Sequence, residues 1–171
     1  VERSLRIARY KSGKYTIERP LHLGAVIARP SASEHSEILN VLSAYGLPLG
    51  EAFQLRDDML GIFGDPETTG KPAGDDLREG KRTVLMAMTM EKASDAARAE
   101  LSAHLGRPDL SPEKIESLRA LIIETGAVAD VEKLIDRLGE ESVAAANSAA
   151  INENARPFLL ALAETAIRRS Y

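Results

Sequence analysis

Two adjacent carboxylates open the functional reading of this chain. Gln54, Asp57, Asp58 and Gly61 stand at i, i+3, i+4 and i+7 within FQLRDDMLGIFGD (Phe53 to Asp65), and that spacing puts them along one face of a helix. Leu55, Met59, Leu60, Ile62 and Phe63 fill the rest of the same stretch, so a narrow polar stripe runs along a largely apolar helix. Neighbouring carboxylates repel each other and resist burial unless a cation compensates them. A hard divalent ion such as Mg²⁺ suits the role, because it binds through one or two carboxylates plus water and substrate phosphates.

The residues that follow supply both signs of charge. Lys71 comes after Gly70, Asp75 and Asp76 after Gly74, and Lys81 and Arg82 after Gly80. Glycine lets the backbone approach an anionic ligand closely, lysine is a point cation for phosphate, and carboxylates hold the metal that bridges to it. A third cluster, KSGKYT (Lys11 to Thr16), sets Lys11 and Tyr15 four residues apart, partners on a helix that reaches that far. Each piece has an ordinary alternative. A lone Asp-Asp pair on a helix is usually a solvated surface feature, a charged Gly/Pro segment is usually only a loop, and Lys11 alone is an ordinary surface lysine. The combination is what reads as a metal–diphosphate site. His22, His35 and His104 lack metal-ligand spacing and read as structural or exposed, while Met86, Met88 and Met90 read as core filler.

Helical patterns must position these groups. Leu5, Ile7 and Ala8 among charges predict an amphipathic helix over 2–11. An apolar stretch follows Pro20 and stops at Pro30. Ser33 is the expected cap of a long helix starting near Glu34 and carrying Ile38, Leu39, Leu42, Phe53 and Leu60, with a kink or break at Pro48. Residues 64–80, rich in glycine and proline and poor in large apolar side chains, are expected to be a functional loop outside the core. Helices resume from about Arg82 to Met90, with a further piece to Leu105. Ser111 and Pro112 start another helix that ends near Gly126, the next runs to about Ala150, and Pro157 opens the last, which ends in Arg168 and Arg169. Strand patterns are scarce and there is no internal repeat. The expected architecture is all-α, one unit with one long polar loop.

Composition bounds the function. The chain has 171 residues, no cysteine and no tryptophan, with 22 basic against 26 acidic residues and a net charge of −4. The absence of cysteine removes a disulfide framework and thiolate metal ligation. Dispersed, mildly acidic charge disfavours nucleic-acid binding by bulk electrostatics. No apolar run approaches the ~20 residues of a membrane span. The chain begins at Val1 in what reads as the inside of a helix, so it is expected to be part of a longer cytoplasmic protein.

FQLRDDMLGIFGDPETTGKPAGDDLREGKRTVL (Phe53 to Leu85) resembles the second aspartate-rich region of the trans-isoprenyl diphosphate synthases, in the form typical of bacterial geranylgeranyl diphosphate synthases. KSGKYT resembles the family's upstream Lys-Thr-Gly/Ala motif. The resemblance covers most of the chain. It implies the C-terminal portion of a helical isoprenoid synthase domain around a deep cavity. The implied reaction is Mg²⁺-dependent condensation of an allylic diphosphate (dimethylallyl, geranyl or farnesyl) with isopentenyl diphosphate, giving a longer prenyl diphosphate such as geranylgeranyl diphosphate. Asp57 would ligate Mg²⁺, Asp58 would act in an outer shell or through water, and Asp76 would be a further metal-associated carboxylate. Lys11, Lys71 and Lys81 would bind the diphosphate. Gln54 would lie near the substrate, Ser12 would keep the hydroxyl of the usual threonine, and Tyr15 would stand near the reacting carbons. A homodimer is also implied. Two departures stand out. Gly61 replaces the third aspartate of the DDxxD pattern, and the first aspartate-rich motif and the isopentenyl diphosphate site are expected upstream of Val1, so that the 171 residues alone would turn over negligibly. The alternative is a non-catalytic or regulatory protein on the same fold.

Overall fold

The computed structural model describes residues 1–28, 35–70, 72 and 74–168. Among them every regular element is helical: α1 (Glu2–Ala8), a π-helical segment (Arg9–Glu18), α2 (Arg19–Ala28), α3 (His35–Phe63), α4 (Pro66–Thr69), α5 (Asp75–Arg78), α6 (Val84–Lys92), α7 (Asp95–His104), α8 (Pro112–Glu124), α9 (Ala127–Ala146) and α10 (Arg156–Ile167). No helix among the described residues is long and apolar enough to cross a membrane. The expected cap at Ser33, together with Lys71 and Arg169, lies outside the described residues.

Two compact units divide the chain. Among the described residues one contains Val1–Ser4 and Leu55–Lys133; the other contains Leu5–Gln54 and 134–168. In the first, Leu55, Met59 and Ile62 on α3 and Ile115, Leu118 and Ile122 on α8 are buried, at the spacing that brings residues to one helical face. Arg56 donates two hydrogen bonds of 2.7 Å to the carboxylate of Glu132. Ser111 caps α8 by accepting from the Lys114 N–H, with Pro112 in the first turn. Thr83 caps α6 in the same way through the Met86 N–H.

In the second unit, Tyr45 and Leu49 of α3 pack with Ala146 of α9 and Ala163 of α10, and Leu21, Leu159 and Ile167 lie against them. Tyr45 is fully buried, and its hydroxyl donates to the Leu159 carbonyl at 2.8 Å. Burial pushes its pKa up to about 12. An apolar groove of about 930 Å³ runs between α2, the start of α3 and the residues around Ile151; Lys11, Ser12 and Gln54 do not line it.

Three expectations are corrected. Pro48 does not break α3, which is continuous from His35 to Phe63. Tyr45, Leu49 and Ala52, all at zero exposure, hold both sides of the proline in one packed surface, and that tertiary packing outweighs the missing backbone donor. The helix expected over 2–11 gives way after Ala8 to the π-helical segment, so Lys11 and Tyr15 do not share an α-helical turn. Residues 64–80 are not a plain loop: Asp65 caps α4 by accepting from the Glu67 N–H, and Leu77 of α5 is fully buried. Burying one leucine contributes about 1.5–3 kcal/mol, enough to pin a single-turn helix.

Candidate functional site

The two units each hold part of the sequence-derived site. Asp57, Asp58, Asp76 and Lys81 belong to the first; Lys11, Ser12, Tyr15 and Gln54 belong to the second.

On the aspartate side, α3 turns Asp57 outward and Asp58 inward. Asp57 is exposed, and its carboxylate has no hydrogen-bond or ion-pair partner among the described residues. Asp58 is 9% exposed, so the polar stripe straddles the edge of the buried face. Asp76 arrives from α5 and is 5% exposed. Its Oδ1 accepts from the Lys81 ammonium at 2.5 Å, and the same ammonium reaches Glu79 Oε2 at 2.9 Å. Burial pushes the Asp76 carboxyl above the ordinary range; Lys81 opposes this, while the charges of Asp57 and Glu79 add to it. The hydrogen bonds to Asp76 and Glu79 raise the Lys81 pKa. Both shifts are upward, which disfavours the charge on Asp76 and favours that on Lys81, for a simple reason. Asp76 is enclosed and loses solvation, whereas the Lys81 side chain is 42% exposed and keeps most of what its two carboxylates give it.

The glycines of this segment have distinct tasks. Gly74 precedes α5 with φ 68°, and its α-carbon faces Ile115. Only glycine adopts that backbone without strain. Gly61 is different. A Cβ built there would overlap the Asp76 carboxylate. The Asp76 carboxylate thus packs directly against the α-carbon of Gly61.

On the basic side, Ser12 is buried and donates to Gln54 Oε1 at 2.6 Å. This bond joins the KSGKYT motif to Gln54 of α3. Lys11 is exposed, without an ion-pair partner among the described residues. Thr16 Oγ1 donates to the Lys11 carbonyl, and the Arg19 N–H donates to Lys14 O, both five residues back. Local π-helical winding is frequent at functional sites. Tyr15 is 80% exposed. The Lys14 ammonium and the Arg6 guanidinium lie over the Tyr10 ring.

What permits this approach is a pair of glycines that the motif reading missed. Gly46 and Gly50 lie one turn apart on α3. A Cβ on Gly50 would sit 2.5 Å from Gly13 Cα, and one on Gly46 would sit 3.2 Å from Glu18 Cα. The signal was available as Gly46-Leu-Pro-Leu-Gly50, two small residues at i, i+4 within an apolar helix. Glu79 as a second anchor for Lys81 was also missed; nothing in its spacing distinguishes it from a surface glutamate.

Residues 1–122 match the polyprenyl synthetase family. The chain belongs to that family. It is 38% identical over 124 residues to a geranylfarnesyl diphosphate synthase of Aeropyrum pernix, covering 72% of this chain and 36% of that protein. It is 34% identical over 148 residues to a geranylgeranyl diphosphate synthase of Mycobacterium tuberculosis, covering 86% and 40%. Among solved structures, a geranylgeranyl pyrophosphate synthase from Corynebacterium glutamicum, complexed with isoprenyl diphosphate and magnesium, superposes with a TM-score of 0.91 at 44% identity over 99% of this chain and 47% of that one. The chain thus spans about half the length of the polyprenyl synthetase structures it matches, and the all-α fold expected from its sequence is the fold of these relatives.

The polyprenyl synthetase residues present here fit a hard cation in one particular way. Among the described residues no group of three or more His, Asp or Glu side chains could enclose a metal alone. The charge of Asp57 is felt at Asp76, and two such carboxylates would suit an ion that keeps waters and takes the rest of its shell from phosphate.

Proposed function

We propose that this chain forms part of a prenyl diphosphate synthase, joining an allylic diphosphate to isopentenyl diphosphate to give a longer prenyl diphosphate, with geranylgeranyl diphosphate as product. The observation that carries the reading is the exposed, unpartnered Asp57 carboxylate beside a buried Asp76 that Lys81 already holds in place. Family membership and the magnesium and isoprenyl diphosphate bound by the Corynebacterium relative support it.

The chemistry asked of the protein is to stabilise a departing diphosphate. Mg²⁺ held by Asp57 and Asp76, with Asp58 behind them, would neutralise charge on the leaving oxygens. Lys11 and Lys71 would bind the diphosphate as point cations. Lys81 would remain charged throughout, orienting Asp76 as well as adding positive potential. Ser12 and Gln54, locked to each other, would fix the height of the Lys11 backbone, and Tyr15 would cover the allylic carbons. The reading extends to a cytoplasmic homodimer, as the resemblance implies.

The test is turnover in the whole enzyme. Asp57→Ala should lower kcat by about 100-fold or more, and removing Mg²⁺ with a chelator should abolish activity. Near-wild-type turnover in Asp57→Ala would remove Asp57 from the site. A scaffold protein on the same fold would show no Mg²⁺-dependent binding of inorganic pyrophosphate.

A further inference from the structure

One buried acid lies outside the groups used so far. Glu18 closes the π-helical segment and is 5% exposed. Its Oε1 accepts from the Ser43 hydroxyl at 2.7 Å, while Arg19 Nε stands 3.8 Å from Oε2, too far for a hydrogen bond. Ser43 Oγ also lies 2.9 Å from His22 Nε2, and that nitrogen lies 3.0 Å from the Leu39 carbonyl oxygen. Proton counting fixes the direction of this chain of bonds. Ser43 gives its single proton to Glu18 and a carbonyl can only accept, so His22 carries its hydrogen on Nε2 and donates to both oxygens. The chain fastens the end of the π-helical segment and the start of α2 onto α3.

The spacing along the seam shows what is being fastened. A Cβ on Gly50 would meet Gly13 Cα, and one on Gly46 would meet Glu18 Cα. Four residues of α3 are thus matched by five on the opposing segment. Past Glu18 the match is regular again: Glu18 to His22 is four residues, and so is Ser43 to Leu39. A turn closed by an i→i+5 bond takes up one residue more than an α-turn, and the bond from the Arg19 N–H to Lys14 O lies at this place. The Ser12–Gln54 bond holds the segment on one side of the extra residue. The Glu18–Ser43–His22 chain holds it on the other.

We propose that Glu18, Ser43 and His22 form a clamp that retains this extra residue and thereby sets the direction of the Lys11 side chain. They are positioning residues that act through Lys11, and their role rests on the diphosphate reading above. A segment that relaxed to α-helical winding would turn one flank against the other by about 100°, the step of one residue at 3.6 per turn. Ile17 and Leu21 are packed against the Tyr45 cluster, so that rotation falls on the Lys11 side and strains the Ser12–Gln54 bond.

The experiment uses the whole protein as wild type, Ser43→Ala, Glu18→Gln, Lys11→Ala and the combined Ser43→Ala/Lys11→Ala variant. The first readout, without metal, is amide hydrogen exchange over residues 9–19, referenced to α9. Ser43→Ala should speed it by about 2–10-fold, the loss of one ordinary hydrogen bond. Glu18→Gln keeps an oxygen for Ser43 and should exchange within about 2-fold of wild type. The second readout is the Kd for inorganic pyrophosphate with Mg²⁺. Ser43→Ala should raise it by about 2–10-fold, and in the Lys11→Ala background the same change should raise it no further. His22→Ala opens the chain from α2 and carries the same two expectations, so it serves in place of a Ser43→Ala protein that does not fold. Unchanged exchange in these variants, Glu18→Gln as impaired as Ser43→Ala, or a Kd loss that persists in full without Lys11 would overturn the proposal. A wild type that binds no Mg²⁺–pyrophosphate would instead refute the diphosphate reading and with it the role of Lys11. The exchange measurement would still decide whether the clamp holds the π-helical winding.

Discussion

The closest backbone approach at the basic motif depends on a single missing methyl group, and Gly50→Ala tests it. The new Cβ would meet Gly13 Cα at 2.5 Å, Gly13 N at 2.6 Å and the Ser12 carbonyl carbon at 2.7 Å. Ordinary carbon contacts lie near 3.5–4.0 Å, and every one of these neighbours is backbone, so the π-helical segment and α3 must separate by about 1 Å. Overpacking of this kind costs about 1–3 kcal/mol. The Ser12–Gln54 bond, now 2.6 Å, would stretch beyond hydrogen-bonding range, losing about 0.5–1.5 kcal/mol more. Alanine's better helix propensity returns about 0.8–1 kcal/mol. The net expectation is a loss of about 0.5–3.7 kcal/mol, or about 2–4 °C in Tm per kcal/mol for a chain of this size. Gly24→Ala is the internal control. Gly24 also lies within a helix, but a Cβ there meets nothing within 4 Å, so the same substitution should stabilise by about 0.4–1 kcal/mol. Thermal unfolding of both variants side by side reads the difference in sign. If Gly50→Ala proved as stabilising as Gly24→Ala, the close approach would not be what fixes the motif against α3.

Two further outcomes follow from buried charge. Burial raises the Glu51 carboxyl above its ordinary value of 4.5, with Arg9 opposing, and Glu141 adds to the rise. The folded state therefore holds more protons than the unfolded state just above pH 4.5, and the stability tied to this group is lost as pH rises through its folded pKa. Glu51→Gln should accordingly gain stability relative to wild type between pH 4 and pH 7, as read from urea midpoints; a flat difference would refute the burial argument. Arg56→Ala removes a guanidinium that is 8% exposed and bonded twice to Glu132. It should cost about 3 kcal/mol in the same urea assay, and a loss below about 1 kcal/mol would show that the pair is ordinary surface electrostatics.

How much of this was legible beforehand depends on the range of the interaction involved. The Ser111-Pro112 start of α8 and the stop at Gly126 are local rules, and the structure follows them: Ser111 caps, and Gly126 has φ 75°. The continuity of α3 through Pro48 is not local. It depends on Tyr45 and Leu49 meeting Ala146 and Ala163 from more than 90 residues away. The π-helical winding of residues 9–18 is similarly invisible to a periodicity argument that assumes 3.6 residues per turn. The loop reading failed at Leu77 because one apolar side chain among glycines and charges does not register as an element, although it can anchor one.

Gly61 shows why a departure from a motif must be read in three dimensions. By pattern, a glycine in place of an aspartate subtracts a ligand and argues for a degenerate site. In space, the same glycine is a vacancy next to Asp57, and a carboxylate fifteen positions later enters it. Any side chain at 61 would first have to displace that carboxylate. Gly50 makes the same point with backbone in place of a carboxylate, and Gly24, with open space around its α-carbon, shows that glycine alone carries neither message. What decides each case is the identity of the atom that would meet the missing Cβ. At position 61 that atom belongs to a buried acid held by a lysine, so the glycine there reflects close packing of α5 against α3.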